Sequence, residues 1–109
     1  MRNFRPRRGF ICEEGRVTIT RINQFEARKD SEESLFEFLQ SVISTIEKSP
    51  GCKSCRLLRS IDNPAHLAII EEWESIEDHQ AAAKAIPPEK MALAMALFAK
   101  PPSGTYYKA

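Results

Sequence analysis

The chain has 109 residues and a formal net charge of +1 at pH 7, with 16 Lys and Arg against 15 Asp and Glu. This length predicts a single domain that buries one apolar core without disulfide bonds. No apolar stretch approaches the ~20 residues of a membrane-spanning helix. Residues 1–16 contain no apolar segment ahead of a cleavage site, so we expect neither a membrane anchor nor a secretory signal.

Charge is distributed unevenly along the chain. Residues 1–16 carry five Arg and two Glu, a net +3, whereas residues 17–109 carry eleven Lys and Arg and thirteen Asp and Glu, a net −2. The mildly acidic body argues against nucleic acid as a partner. We expect no membrane partner either. We predict a basic, loosely docked tail over residues 1–15 and one folded domain over residues 16–109. A targeting or nucleic-acid-binding arm is the alternative for the tail.

The first predicted elements are a strand and a helix. Residues 16–26 are rich in β-branched side chains that alternate along the run, which predicts a strand. Asp30 and Ser31, followed by two acidic residues, then form a helix N-cap. Apolar residues recur at helical spacing from residue 35 to residue 46, so a helix is predicted over 31–48. The Pro-Gly pair at 50–51 ends it.

The rest of the chain predicts a hairpin, two helices and a last strand. Strands over 52–60 and 66–73 are joined by a short turn and form an antiparallel hairpin. Ser75 caps a second helix, the Pro pair at 87–88 breaks it, and a third helix follows over 89–99. A short strand over 105–107 ends the chain. The order predicts an α+β, ferredoxin-like βαββαβ fold with an antiparallel four-stranded sheet.

Such a fold leaves one face of the sheet without helices. Strand alternation puts Thr18, Ile22, Ala68 and Ile70 on that open face. An apolar face of this size is most simply buried against a second copy of itself. We therefore expect a homodimer that packs sheet against sheet.

Three Cys residues, an odd number, are typical of reduced thiols, and we expect a cytoplasmic location. Cys52 and Cys55 form a C-x-x-C motif in a predicted strand. Strand alternation places positions 52 and 55 on opposite faces. No second motif supplies further zinc ligands. We expect free, buried thiols and no metal.

Several segments form a combination typical of one family. They are Ile22–Glu26, Pro50–Cys52, Leu58–Pro64 and Glu71–Ser75, followed by Glu77 and His79. With them, residues 16–109 resemble the antibiotic biosynthesis monooxygenase (ABM) family of the dimeric α/β-barrel superfamily. That family includes cofactor-independent oxygenases of quinol-like aromatics, haem-degrading enzymes and many members without an assigned substrate.

Two branches of the family can be compared position by position. The haem-degrading branch has a first-strand Asn and a strand-end Trp, which Asn23 and Trp73 match, but Ala83 stands at its haem-ligating His. The quinone-forming branch has the Trp, an Asn four residues earlier and a Tyr six residues later. Ile69 and His79 stand at those last two positions. The resemblance is partial for both branches.

The resemblance implies a cofactor-independent monooxygenase acting on a small electron-rich aromatic. In this hypothesis His79 is the base, Asn23 holds the oxyanion and Trp73 forms a wall. The substrate would also contact Ile69, Phe25 and Phe36, and no cofactor is expected. The alternative is a non-catalytic dimeric binding or stress-associated module.

Each candidate residue also has a purely structural interpretation. Trp73 is then a packing anchor at the end of a strand. His79 is a helix-surface residue bonded to a carboxylate such as Asp78 or Glu71. Asn23 bonds backbone at a sheet bulge, because a buried amide needs partners.

Overall fold

A computed structural model describes residues 17–109, so the basic tail predicted over residues 1–15 lies outside the described residues. Seven elements follow one another along this part of the chain, and each lies close to its predicted position. They are β1 (Ile19–Glu26), α1 (Glu32–Ile46), β2 (Cys52–Arg59), β3 (His66–Trp73), α2 (Ile76–Lys84), α3 (Pro88–Leu97) and β4 (Ser103–Lys108).

The four strands form one sheet in the order β2-β3-β1-β4, and every neighbouring pair is antiparallel. The central strand β1 pairs Arg21 with Glu71 of β3 on one side and with Tyr106 of β4 on the other. Cross-strand partners point to the same face of a sheet. The predicted α+β ferredoxin-like fold is therefore confirmed, and its register brings these three side chains together.

The core lies between the sheet and the helices. Leu35, Leu39, Val42 and Ile46 recur every three or four residues along α1 and are all buried. They pack against buried strand residues, among them Leu67, Ile69 and Trp73. Helix α3 contributes Ala94, while its Leu93 points outward and is 63% exposed. Most of the apolar side chains of α3 are thus outside the core.

Helix α2 starts at a fixed place beside the sheet. Ser75 is its N-cap, and the Ser75 hydroxyl accepts the backbone N–H of Asp78 at 3.1 Å. Gly51 lies under this first turn with φ +85°, and a Cβ there would collide with the Asp78 side chain. The glycine therefore both permits the turn before β2 and lets α2 approach it. These contacts place His79, one turn into the helix, over the sheet.

The other face of the sheet carries no helix among residues 17–109. It presents Ile22, Ala68 and Ile70 in its centre, all partly exposed. Leu58 and Tyr107 at its margins are 41% and 52% exposed. Within the same described residues, no helix is long and apolar enough to cross a membrane.

The structure corrects the predicted placement of the two cysteines. A β-bulge lies between Cys52 and Ser54, so that Cys52 pairs with Trp73 and Cys55 with Glu71. Because the bulge adds one residue to β2, both cysteines share the helix-covered face, and the prediction of opposite faces is wrong. Both thiols are free. Burial, followed by the charge of Glu71, raises the pKa of Cys55 to about 12.

We predict that Cys55 reacts slowly with alkylating reagents in the folded protein. A thiol whose pKa is about 12 holds almost no thiolate at pH 8, and the thiolate is the nucleophile and the zinc ligand. Peptide-resolved mass spectrometry after brief iodoacetamide treatment should show Cys52, which is partly exposed, modified before Cys55. Equal labelling of the two, or a bond between them, would contradict this prediction.

Candidate functional site

A cavity of about 210 Å³ lies between the sheet and the helices. Its walls are mostly apolar and come from all three helices. Its floor is formed by alternate residues of two neighbouring strands, which are Arg21, Asn23, Phe25, Ile69, Glu71 and Trp73. Pockets of this kind, apolar with a few convergent polar groups, are typical of small-molecule sites.

Three of the floor residues are polar, although they lie on the face that the helices cover. Arg21 and Asn23 stand two positions apart in β1, and Glu71 pairs directly with Arg21 across the sheet. A buried polar group costs free energy unless it finds a hydrogen-bond partner. Glu71 is only 2% exposed, so its carboxylate depends on partners inside the protein.

Those partners form a continuous hydrogen-bond network. Arg21 Nε donates to Asn23 Oδ1 at 2.9 Å, and Asn23 Nδ2 donates to Glu71 Oε2 at 2.9 Å. Trp73 Nε1 donates to the other oxygen, Glu71 Oε1, at 2.8 Å. A guanidinium can only donate, so Arg21 must bond the oxygen of the Asn23 amide. The NH₂ group of Asn23 therefore points to Glu71.

His79 joins this network from the helix side. Its Nδ1 lies 2.6 Å from the Tyr106 hydroxyl, and its Nε2 lies 3.8 Å from Glu71 Oε1. The imidazole stands edge-on to the rings of both Trp73 and Tyr106, with centroid distances of 5.6 and 5.3 Å. The side chain is 14% exposed. His79 is therefore held between a hydroxyl on one side and a buried carboxylate on the other.

The environment shifts the pKa values of the two titratable partners in opposite directions. Burial raises the pKa of Glu71, while the hydrogen bond from Trp73, the charge of Arg21 and the hydrogen bond from Asn23 oppose that shift. Burial, followed by the positive charge of Arg21, lowers the pKa of His79. Both shifts disfavour charge. The imidazole is accordingly neutral at pH 7 and able to accept a proton.

The structure brings together most of the residues that the sequence nominated. Asn23, Trp73, His79, Ile69 and Phe25 all line the same cavity. Phe36 lies apart from these lining residues, because its ring stacks under the Arg59 guanidinium with Cζ 4.0 Å from the ring centroid. Asn23 bonds side chains rather than backbone, and the nearest carboxylate to His79 Nε2 is Glu71.

Sequence reasoning did not assign a site role to three members of the network. Strand alternation could have placed Glu71 in the site, since it lies on the same face of β3 as Ile69 and Trp73. Arg21 has the same parity as Asn23, but a strand charge alone gives no sign of its partner. Tyr106 has no local signal at all, because only the pairing of β4 with β1 brings it to His79.

The residues do not fit haem ligation through a histidine. Ala83 lines the cavity at the position where the haem-degrading branch has its ligand, and a methyl group donates nothing to iron. His79 has Nδ1 bonded to Tyr106 and Nε2 turned to Glu71. Among residues 17–109, no cluster of three or more His, Cys, Asp and Glu side chains is arranged to hold a metal ion.

The chain belongs to the antibiotic biosynthesis monooxygenase (ABM) family, whose sequence model matches residues 18–92. The match spans β1 through the first half of α3 and includes all the cavity-floor residues. No curated protein sequence matches the chain.

Solved structures share the fold at low sequence identity. A conserved protein from Methanosarcina mazei has a TM-score of 0.76 and 17% identity, covering 84% of this chain and 91% of its own. A putative antibiotic biosynthesis monooxygenase from Nitrosomonas europaea has a TM-score of 0.75 and 20% identity, and the alignment covers 84% of this chain and 97% of that protein. SnoaB, a cofactor-independent oxygenase from Streptomyces nogalater, has a TM-score of 0.71 and 17% identity, and the alignment covers 84% of this chain and 92% of SnoaB. At these identities the likeness establishes the fold alone.

Gly104 offers a test of the network in which none of the polar side chains is replaced. It pairs with Asn23 across the β1–β4 ladder, and a Cβ there would collide with Nη2 of Arg21 and lie 2.5 Å from Oδ1 of Asn23. We expect Gly104→Ala to separate Arg21 from Asn23 and to lower the free energy of unfolding by about 1–3 kcal/mol.

Urea denaturation measures this change, and Ser103→Ala on the same strand is the control, because Ser103 is exposed. Equal stability of Gly104→Ala and the wild type would show that the Arg21–Asn23 contact is dispensable.

Proposed function

We propose that this protein is a cofactor-independent monooxygenase of small, electron-rich aromatics such as phenols and hydroquinones. The observation that carries the proposal is the position of His79, whose imidazole lines a mostly apolar cavity with Nε2 3.8 Å from the buried Glu71 carboxylate. Burial lowers the pKa of this imidazole, which favours its neutral, proton-accepting form. Membership of the ABM family and the fold shared with a cofactor-independent oxygenase support it. An apolar enclosure favours an aromatic substrate over a polar one.

The reaction begins with removal of the phenolic proton by His79. The phenolate then passes one electron to dioxygen, and the resulting aryloxyl radical and superoxide join through a new C–O bond at an unsubstituted ring carbon. The peroxide takes the proton back from His79, the ring carbon loses its hydrogen as a proton, and the O–O bond breaks to release water. One phenol and one dioxygen yield one quinone and one water, a four-electron oxidation of the ring.

Asn23 and Trp73 have supporting roles in this proposal. The Asn23 amide has two N–H groups, of which one donates to Glu71. In this proposal the other donates to the oxygen of the substrate as negative charge develops on it. Trp73 is fully buried and lines the cavity, so its indole forms one wall against an aromatic ring.

We expect His79→Ala to lose at least a hundredfold in rate, since removal of a general base typically costs ~10²–10⁴-fold. His66→Ala is the matched control, because His66 is exposed and lies at the start of β3. Oxygen consumption by the pure, metal-free protein across a panel of hydroquinones and polyphenols identifies a substrate and then compares the variants. Equal rates in the two variants would exclude His79 as the base.

The same assay separates the oxygenase from a non-catalytic binding module. Binding of an aromatic without oxygen uptake, detected by quenching of the single Trp, would favour the binding module.

The functional unit that we propose is a homodimer. The open face of the sheet holds Ile22, Ala68 and Ile70 at its centre, with exposed Leu58 and Tyr107 beside them. Monomeric proteins rarely leave a contiguous apolar patch of this kind in water. A second copy, related by a two-fold axis, covers this face with an identical one. An obligate interface of this type buries more than ~2,000 Å² in total.

Sedimentation velocity at micromolar concentration should show a dimer that Ile70→Glu dissociates, because the new carboxylate would be buried at the interface without a partner. Leu93→Glu is the control, since it places the same charge on the exposed side of α3. A wild-type monomer would contradict the proposal, as would dissociation by both variants.

A further inference from the structure

We infer that Glu71 is a positioning residue of this site: its buried carboxylate faces Nε2 of His79 and provides the counter-charge for the proton that His79 takes. The catalytic role of Glu71 in this inference rests on the proposed function. The interaction between the two side chains can be measured without any substrate.

The first argument is the way in which Glu71 is held. Trp73 donates to Oε1 and Asn23 donates to Oε2, and the orientation of Asn23 is fixed in turn by Arg21. Both carboxyl oxygens therefore act as acceptors, which is the arrangement that a carboxylate requires. Structural needs alone would be met more simply by an apolar residue, as at Leu67 and Ile69 on the same face of β3.

The second argument is the direction in which the carboxylate points. Its Oε1 lies 3.8 Å from Nε2 of His79, whereas Nδ1 of the same ring is bonded to the Tyr106 hydroxyl at 2.6 Å. When Nδ1–H donates to Tyr106, Nε2 carries the lone pair. A proton accepted at Nε2 then lies beside Oε1, and the imidazolium is stabilised by the adjacent negative charge.

The third argument comes from the other charges around His79. Arg21 of β1 and burial both disfavour the imidazolium, and Tyr106 of β4 is a neutral partner. The acidic neighbours on α2, Glu77 and Asp78, lie at the start of the helix. Glu71 of β3 is the carboxylate within 4 Å of the His79 ring nitrogens among the described residues. Removing it should therefore leave His79 harder to protonate.

The experiment is an NMR titration of the imidazole signals in the full chain. The protein has two His, so His66→Ala assigns the spectrum directly. Glu71→Gln keeps the shape of the side chain and removes its charge. An opposite charge within about 4–6 Å shifts a pKa by ~1–3 units, so the His79 midpoint should fall by about one pH unit or more.

Glu72→Gln is the matched control. It makes the same change one residue along β3, on the opposite face, where the Glu72 carboxylate is exposed and accepts a hydrogen bond from Ser54. The His79 midpoint should be unchanged in this variant. An unchanged midpoint in Glu71→Gln, with circular dichroism showing a folded protein, would overturn the inference, as would an equal shift in both variants.

A second variant keeps the test decisive if Glu71→Gln does not fold. Trp73→Phe retains the carboxyl group and removes the N–H that stabilises its charge. Glu71 is then ionised less readily, so the His79 midpoint should also fall. No shift in a folded Trp73→Phe protein would count against the inference.

Turnover distinguishes this inference from the proposed function. With a substrate in hand, Glu71→Gln should lower kcat and move the pH profile of the rate, while Glu72→Gln should do neither. A shifted titration with no oxygen uptake on any substrate would support the Glu71–His79 interaction and remove the oxygenase. Loss of activity in His79→Ala, together with an unshifted His79 titration in Glu71→Gln, would support the oxygenase and remove the Glu71–His79 interaction.

Discussion

Burying a carboxylate under apolar helices costs several kcal/mol unless donors surround it, and much of this protein is arranged around that constraint at Glu71. The indole of Trp73 and the amide of Asn23 each donate to one carboxyl oxygen. Arg21 orients the amide, and its guanidinium stacks 4.6 Å from the centroid of the Tyr106 ring. Tyr106 in turn holds His79. Each member of the network is therefore placed by its neighbour, starting from one charge.

The elements of the fold were largely predictable because their signals are local. Alternation in β1, helical spacing in α1 and the Ser75 cap of α2 each depend on residues close together in the chain. The prediction that Cys52 and Cys55 lie on opposite faces failed because their placement depends on a non-local feature. A β-bulge after Cys52 is a property of how two strands pair, and the sequence of β2 by itself contains no residue that demands it. Strand parity is reliable only where the register is uninterrupted.

The residues of the site also differ in how far the sequence could predict them. Asn23, Trp73 and His79 were identified through the family resemblance, and the structure places all three on one cavity. Phe36 was predicted to contact the substrate, but its ring lies under the Arg59 guanidinium instead. The roles of Tyr106 and Arg21 could not be predicted from the sequence, because they arise only from strand pairing across the sheet. Polar side chains on a helix-covered strand face indicate a buried hydrogen-bond network.

The order of the strands has a consequence for how this chain folds. Asn23 and Glu71, which share a hydrogen bond, are 48 residues apart, and His79 and Tyr106 are 27 apart. Strand β1 must pair with both β3 and β4 before the network closes. Loops of this length are slow to close, and contacts of such separation form late. A partly folded chain can have its helices and its hairpin, yet Tyr106 reaches His79 only once β4 has paired with β1.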